Sequence, residues 1–264
     1  MPMSISIVTP CLNQAQFVEE TIKSVLDQGY PRLEYVVVDG GSSDGSVDII
    51  EKYRSKLHSF VSEPDRGHAD ALNKGFGRTS GEIMAWLNGD DKYVPWTLQT
   101  VSEVFEQFPD VNWIVGINSW WNDRGAMIYT AVTLNNIFDY LSGKYFGIQQ
   151  ESVFWRRRLW ERAGGYVSEE CRLMPDTELW TRFYPLDDLW HVSCVLGGFR
   201  VHPENRGAKY HSDALAERNR AIEAMRGKLD PTALERMERG YRVLNYDRSR
   251  STWAKHLVPR KPGA

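Results

Sequence analysis

The sequence predicts an α/β protein built on a mainly parallel, mixed central sheet with helices on both faces. Apolar runs of strand length alternate with segments at helical spacing as far as Val111. The runs are apolar at successive positions, as in strands buried on both faces. A chain of 264 residues, 42% hydrophobic and 25% charged, can also bury a sizeable core, which excludes a small stapled scaffold.

Residues 5–8 make the first strand. Phe17, Val18, Thr21, Ile22, Val25 and Leu26 then recur at helical spacing, behind an expected Asn13 cap with Gln16 three residues on. Residues 33–38 make the second strand, which ends at Asp39. The turn Gly40-Gly41-Ser42-Ser43-Asp44-Gly45 leads to a helix burying Val47, Ile50 and Tyr53. A short strand at Phe60-Val61, a helix over 69–76 and a strand over 83–87 follow. Pro95 suits the first turn of a helix that buries Leu98, Val101, Val104, Phe105 and Phe108.

Past Val111 the periodicity weakens, and Trp113, Trp120 and Trp121 lie among short β-prone runs. A helix is expected after Pro175, and paired edge strands over 192–201 around Gly197-Gly198. Arg156-Arg157-Arg158 reads as a solvated helix start rather than a diphosphate clamp. The expected division is one domain over residues 1–205 and a C-terminal helical extension over 206–264, with helices at 214–225 and 232–244. The last segment, 248–264, holds Arg248, Arg250, Lys255, Arg260 and Lys261 without an acidic residue. It reads as a solvated flexible tail, with a peripheral contact to an anionic membrane face as the alternative.

The 32 Lys+Arg against 35 Asp+Glu give a net charge of -3, which argues against a nucleic-acid partner. No apolar run reaches the ~18 residues of a transmembrane helix, and no cationic stretch marks a signal peptide. The odd, widely spaced cysteines Cys11, Cys171 and Cys194 fit free thiols in a reducing compartment, so a cytoplasmic location is expected.

Ligands of open parallel sheets bind beyond the carboxyl ends of the strands. The polar residues there are Thr9-Pro10, Asp39, Asp65 and Asn88-Gly89-Asp90-Asp91. Adjacent carboxylates repel unless a cation compensates, so Asp90-Asp91 is a candidate Mg²⁺ or Mn²⁺ site, with helix capping as the other reading. Neither G-x-G-x-x-G nor GxxxxGK[ST] occurs, which disfavours a dinucleotide oxidoreductase and a phosphate-loop enzyme.

The segments Ile5 to Asn13, Glu20 to Gln28, Val36 to Ser46, Ser62 to Gly67, Ala71 to Gly75 and Trp86 to Asp91 resemble, in order, the opening of the family 2 glycosyltransferases. The likeness runs over about residues 4–205. It implies a GT-A fold on a Rossmann-like sheet, of the bacterial, inverting type, in which Thr9, Pro10, Asp39, Asp65 and Asn73 serve the nucleotide sugar. Asn88, Gly89, Asp90 and Asp91 correspond to the DxD element, with Asn88 where the family usually has Asp. Asp90 would hold a divalent metal, Mn²⁺ or Mg²⁺, and His202 in Arg200-Val201-His202-Pro203 would complete its shell. Met174 to Trp180 resembles the acidic acceptor-site motif, with Asp176 as the catalytic base, Glu178 as the runner-up and Trp180 beside them. Gln149 and Gln150 match a region near the acceptor or donor sugar.

The resemblance implies transfer of one sugar from a nucleotide-diphosphate sugar, a UDP-sugar above others, to a glycan or lipid-linked acceptor in envelope polysaccharide synthesis. The alternative is a catalytically silent sugar-binding or scaffold protein of the same fold. The absence of Q-x-x-R-W argues against a processive synthase.

Overall fold

The first strand, β1 (Ile5–Cys11), is buried at all seven positions, as an inner parallel strand must be. In the computed structural model, which describes residues 2–142, 147–232, 234 and 240–259, it is followed by a regular alternation. The elements are α1 (Val18–Leu26), β2 (Leu33–Asp39), α2 (Ser46–Glu51), β3 (Ser59–Ser62), α3 (His68–Phe76), β4 (Ile83–Trp86), β5 (Lys92–Tyr93) and α4 (Thr97–Gln107). Then come β6 (Trp113–Val115), β7 (Asn118–Trp121), β8 (Met127–Ala131), α5 (Ile137–Ser142), β9 (Val153–Arg156), α6 (Arg157–Arg162) and α7 (Pro175–Phe183). The chain continues through β10 (Trp190–Val192), β11 (Gly197–Arg200), α8 (Arg206–Lys209), α9 (His211–Arg226), β12 (Tyr241–Asp247) and β13 (Thr252–Val258).

Among the described residues, nine strands form the main sheet in the order β13-β12-β10-β6-β9-β4-β1-β2-β3. Neighbours from β4 to β3 are parallel, whereas β9 runs antiparallel to both β4 and β6. The expected mixed, mainly parallel sheet is therefore present, and β1 to β4 end on one edge. A second sheet, β5-β11-β7-β8, stands beside that edge.

The core behind the edge is aromatic. Trp86 stacks on Trp180 with centroids 6.0 Å apart and planes 10° from parallel, and Trp155 meets both edge-on. Such stacked and T-shaped pairs are the favoured aromatic arrangements. Helix α3 lies close on β1, because a Cβ on Gly75 would sit 2.3 Å from Val8 Cγ1.

Five expectations are corrected. Asn13 does not cap α1: it has φ 53°, its Oδ1 accepts the Ser43 N–H at 3.0 Å, and the helix begins at Val18. The strands within 192–201 are not partners. β10 lies in the main sheet beside β6 and β12, and β11 in the second sheet between β5 and β7.

The arginine run is only partly solvated, since Arg157 is half-buried and Arg158 alone is exposed. Arg156 is buried, donating to Val111 O, Phe105 O and Glu82, while Arg157 and Arg158 bind Gly81 O and Asn112 Oδ1. Finally, the helix expected over 232–244 gives way to strand from Tyr241, and residues 233 and 235–239 lie outside the described ones. β12 adds parallel to β10 and folds back antiparallel onto β13, so residues 252–258 are strand rather than a loose tail. Lys255 pairs with Asp110, and Arg250, largely exposed, lies 3.6 Å from Asp247. Arg260 and Lys261 lie outside the described residues.

Gly75→Ala gains about 1 kcal/mol in helix propensity but overpacks the α3–β1 contact, which costs about 1–3 kcal/mol. The overpacking prevails, so the melting temperature drops by a few degrees in a thermal-unfolding scan; an unchanged or raised value would refute the close contact.

Candidate active site

A cleft of about 850 Å³ opens at the carboxyl edge of the sheet. Of the sequence-predicted residues, Pro10, Asp65, Asn88, Gly89, Asp90, Gln149, Gln150 and Asp176 line it. Thr9, Asp39, Asn73, Asp91, Glu178, Trp180 and His202 do not.

The strand ends explain the first wall. The β1–β2 register sets Cys11 against Asp39, and Gly40 N–H donates to Cys11 O at 2.9 Å. Asp39 is fully buried, and its Oδ2 accepts from Gly41 N, Ser42 N and Ser62 Oγ. Its Oδ1 has no partner. Gly40 is required by the approach of Asp65, since a Cβ there would lie 2.4 Å from Asp65 Oδ2. Thr9 turns away to Tyr35 Oη at 3.0 Å. Asn73 engages the Val167 main chain at both ends of its amide, so it braces a loop instead of meeting ligand.

The loop after β4 divides its two carboxylates. Asp91 is buried, with Oδ1 accepting from Arg200 N at 2.8 Å and Oδ2 from Asn88 Nδ2 at 3.1 Å. Burial, with the charges of Asp90 and Glu151, pushes its carboxyl well above the usual range. Both Asp91 oxygens are thus engaged by protein partners inside the loop. Asp90 faces the cleft, and its Oδ2 is 3.0 Å from His202 Nε2.

Arg200, which sequence reasoning passed over, holds this geometry. Its Nε donates to Asp90 O at 2.6 Å, and its Nη2 to Glu20 Oε2 at 2.6 Å, while its main-chain N serves Asp91. Thr21 Oγ1 lies within hydrogen-bond distance of Gly89 O and Asp91 O. His68, a second missed residue, lines the cleft with Nε2 3.0 Å from Asn88 Oδ1, and burial lowers its pKa, favouring the neutral ring.

The residues fit a divalent cation. Asp90 Oδ2 and His202 Nε2 are hydrogen-bonded to each other at 3.0 Å, which sets one oxygen and one nitrogen donor of the right chemistry side by side. Among the described residues no group of three His, Cys, Asp or Glu could close around an ion. A grip of few protein donors suits Mg²⁺ or Mn²⁺ when substrate phosphates supply the remaining oxygens.

The opposite wall carries Gln149, Gln150, Glu151 and Asp176. Gln149 Oε1 accepts from Ser119 N at 2.6 Å, and Gln150 Nε2 donates to Trp86 O at 2.7 Å. Asp176 stands in the first turn of α7, behind Pro175 at the helix start. Burial pushes its carboxyl up to about 6. Glu178 is instead held in a two-point ion pair by Arg182, at 2.9 and 2.8 Å, and Trp180 is in the aromatic core. Glu151 is buried, and burial with the Asp176 and Asp90 charges raises its carboxyl.

The loop before Asp176 is fastened from α9. Glu217 accepts three main-chain N–H groups, those of Arg172, Leu173 and Met174, at 3.2, 2.8 and 3.1 Å. No local pattern marks Glu217, since its partners are more than 40 positions away in sequence.

Fold and cleft together define a protein of the GT-A class. The profile of glycosyl transferase family 2 matches residues 6–156, more than half of the chain. The chain belongs to glycosyl transferase family 2. It is similar to TuaG of Bacillus subtilis, named as a glycosyltransferase of teichuronic acid biosynthesis, with 38% identity over 92 residues, 34% of this chain and 36% of that protein. An uncharacterized glycosyltransferase of Rickettsia typhi is 33% identical over 210 residues, 75% of this chain and 64% of the relative. The matched stretches thus span a third to about two thirds of these relatives' length. Among solved structures, Staphylococcus aureus TarS 1-349 in complex with UDP-GlcNAc superposes with TM-score 0.72 at 20% identity, covering 88% of this chain and 69% of that one. The mannosyltransferase PcManGT of Pyrobaculum calidifontis, in complex with GDP-Man and Mn²⁺, gives TM-score 0.57 at 18% identity, covering 89% and 78%. These two likenesses concern the fold.

Glu217→Ala strands three main-chain donors, each worth about 1–3 kcal/mol when buried and unpaired. Misplacing the Asp176 loop by an ångström can cost ~10²-fold in turnover. The variant is expected to lose at least ~10-fold in turnover while nucleotide affinity stays within ~2-fold; equal losses in both would refute a role confined to the Asp176 wall.

Proposed function

We propose that the cleft moves one sugar from a nucleotide-diphosphate sugar to an acceptor hydroxyl, inverting the anomeric carbon. The observation that carries this reading is one cleft lined by Asp90, in contact with His202, and by a half-buried Asp176. A UDP-sugar is the favoured donor, supported by the TarS complex with UDP-GlcNAc. The names of TuaG and of a poly-beta-1,6-N-acetyl-D-glucosamine synthase of Staphylococcus epidermidis, 37% identical over 89 residues, support a glycan or lipid-linked acceptor in polysaccharide synthesis. Residues 1–205 make the transferase domain in this reading, and 206–264 an extension that braces it through Glu217. Three free cysteines support a reducing, cytoplasmic setting. No described helix is long and apolar enough to cross a membrane.

The chemistry follows from the two walls. The nucleoside lies toward Pro10 and Asp65, near the unpartnered Asp39 Oδ1. Asp90 and His202 would hold the divalent ion, which when bound neutralises the departing diphosphate as a Lewis acid. Arg172 and Arg206 line the same cleft and add positive charge there. Across it, Asp176 accepts the proton of the acceptor hydroxyl as that oxygen bonds the anomeric carbon and the bond to the diphosphate breaks. Attack from the face opposite the leaving group inverts the centre. Asp176 suits the base better than Glu178, whose carboxylate is already paired with Arg182. Trp120 and Tyr129, centroids 5.1 Å apart, line the cleft and offer an aromatic face to a sugar ring. Trp121 packs instead under Lys92, whose Nζ is 4.3 Å from its ring centroid.

A base must be ionised to act, and the Asp176 carboxyl sits at about 6. Turnover is therefore expected to rise with pH up to about 6 and then level off. Asp176→Asn should remove that limb and lower turnover by ~10²- to 10⁴-fold, with nucleotide and Mn²⁺ binding retained. Full turnover in this variant would shift the base elsewhere. In calorimetry, Asp90→Ala should abolish the gain in UDP affinity that Mn²⁺ confers on the wild type; an undiminished gain would remove Asp90 from the ion site. Ion-dependent binding of nucleotide sugar with no transfer to any acceptor would favour the silent sugar-binding reading.

A further inference from the structure

Glu151 has no part in the mechanism above, yet it lines the same cleft and is only 3% exposed. Its Oε1 has no hydrogen-bond partner, and no ion pair among the described residues engages the carboxyl. The main chain beneath it is fixed. Gly197 allows Glu151 O to approach, since a Cβ there would lie 2.2 Å from that oxygen, and Ser152 Oγ donates to Gly197 O at 3.1 Å. The side chain therefore stays in the wall.

Two neighbours share its condition. Gln150 Oε1 and Asn118 Oδ1 are buried without partners, and both residues line the cleft. Their amide nitrogens are already spent on Trp86 O and Gly147 O, so both oxygens remain as acceptors. Three unsatisfied acceptors in one wall are costly to bury, and a ligand that donates hydrogen bonds offsets that cost. A diphosphate only accepts and cannot satisfy the Gln150 and Asn118 oxygens, whereas a pyranose hydroxyl can donate to them and can both donate to and accept from the Glu151 carboxyl, which burial raises toward its protonated form. Glu151 is also close enough to Asp90 and Asp176 to feel both charges. All three residues line the one cleft, together with Gln150 and Asn118.

We propose that Glu151 is a specificity-determining residue that hydrogen-bonds one hydroxyl of the transferred sugar, with Gln150 and Asn118 completing the hydroxyl-reading wall. The inference rests on the sugar-transfer reading of the cleft.

The test compares wild type, Glu151→Ala and Glu151→Gln with Mn²⁺, using UDP, GDP, UDP-glucose, UDP-galactose, UDP-GlcNAc and GDP-mannose, then deoxy analogues of the preferred donor. UDP or GDP alone should bind all three proteins within ~2-fold. Glu151→Ala should lower kcat/KM for the preferred donor at least ~10-fold, and one deoxy analogue that wild type disfavours by at least ~10-fold should become equivalent to its parent. If Glu151→Ala does not fold, Glu151→Gln, of the same shape, carries the same comparison with a smaller loss. A variant that keeps the wild-type ranking of sugars and analogues overturns the proposal while leaving sugar transfer intact. A wild type that binds no nucleotide or nucleotide sugar overturns both.

Discussion

The site depends on a buried guanidinium. Arg200 is 1% exposed, and its charge is matched by Glu20, its Nε by the Asp90 carbonyl and its ring-facing side by Phe17, 4.9 Å away. An unpaired charge at this depth would be prohibitive, so the loop after β4, helix α1 and strand β11 are tied to one arrangement. Because Arg200 fixes the Asp90 main chain and stands two positions before His202, contact between the Asp90 carboxylate and the imidazole follows from the clasp. The Asp90–His202 pair is preorganised by a residue that need not touch any ligand.

Environment divides the labour among chemically equal carboxyls. Asp90 and Asp91 are neighbours in the chain, yet one faces the cleft and the other is enclosed by Asn88 and the Arg200 main chain. Asp176 and Glu178 lie in one helical turn, yet Glu178 is neutralised by Arg182 while Asp176 is held up by burial alone. Different surroundings thus give chemically like groups different tasks on one protein surface.

Legibility in the sequence followed locality. The strands up to β4 were plain because buried parallel strands are mostly apolar and end in Gly- and Asp-rich turns, so the strand-end edge with Pro10, Asp65 and Asp90 could be located. Trp180 and Asn73 were misleading because their residue types suit ligands, and only packing shows that one fills the core and the other fastens Val167. Residues 241–244 read as helix because their strand character comes from pairing with β10, about 50 positions earlier. Arg200, Glu151 and Glu217 belong to no periodic pattern. Their importance arises from partners brought together by tertiary structure.

The hold of α9 on the Asp176 loop has an evolutionary corollary. The family profile ends at residue 156, so the wall bearing the proposed base is supported by a segment beyond the profile. In the proposed reading, the donor wall and the acceptor wall are therefore carried by different stretches of the chain. Divergence or exchange of the C-terminal segment can refashion one side of the cleft while the strand-end machinery opposite is left untouched.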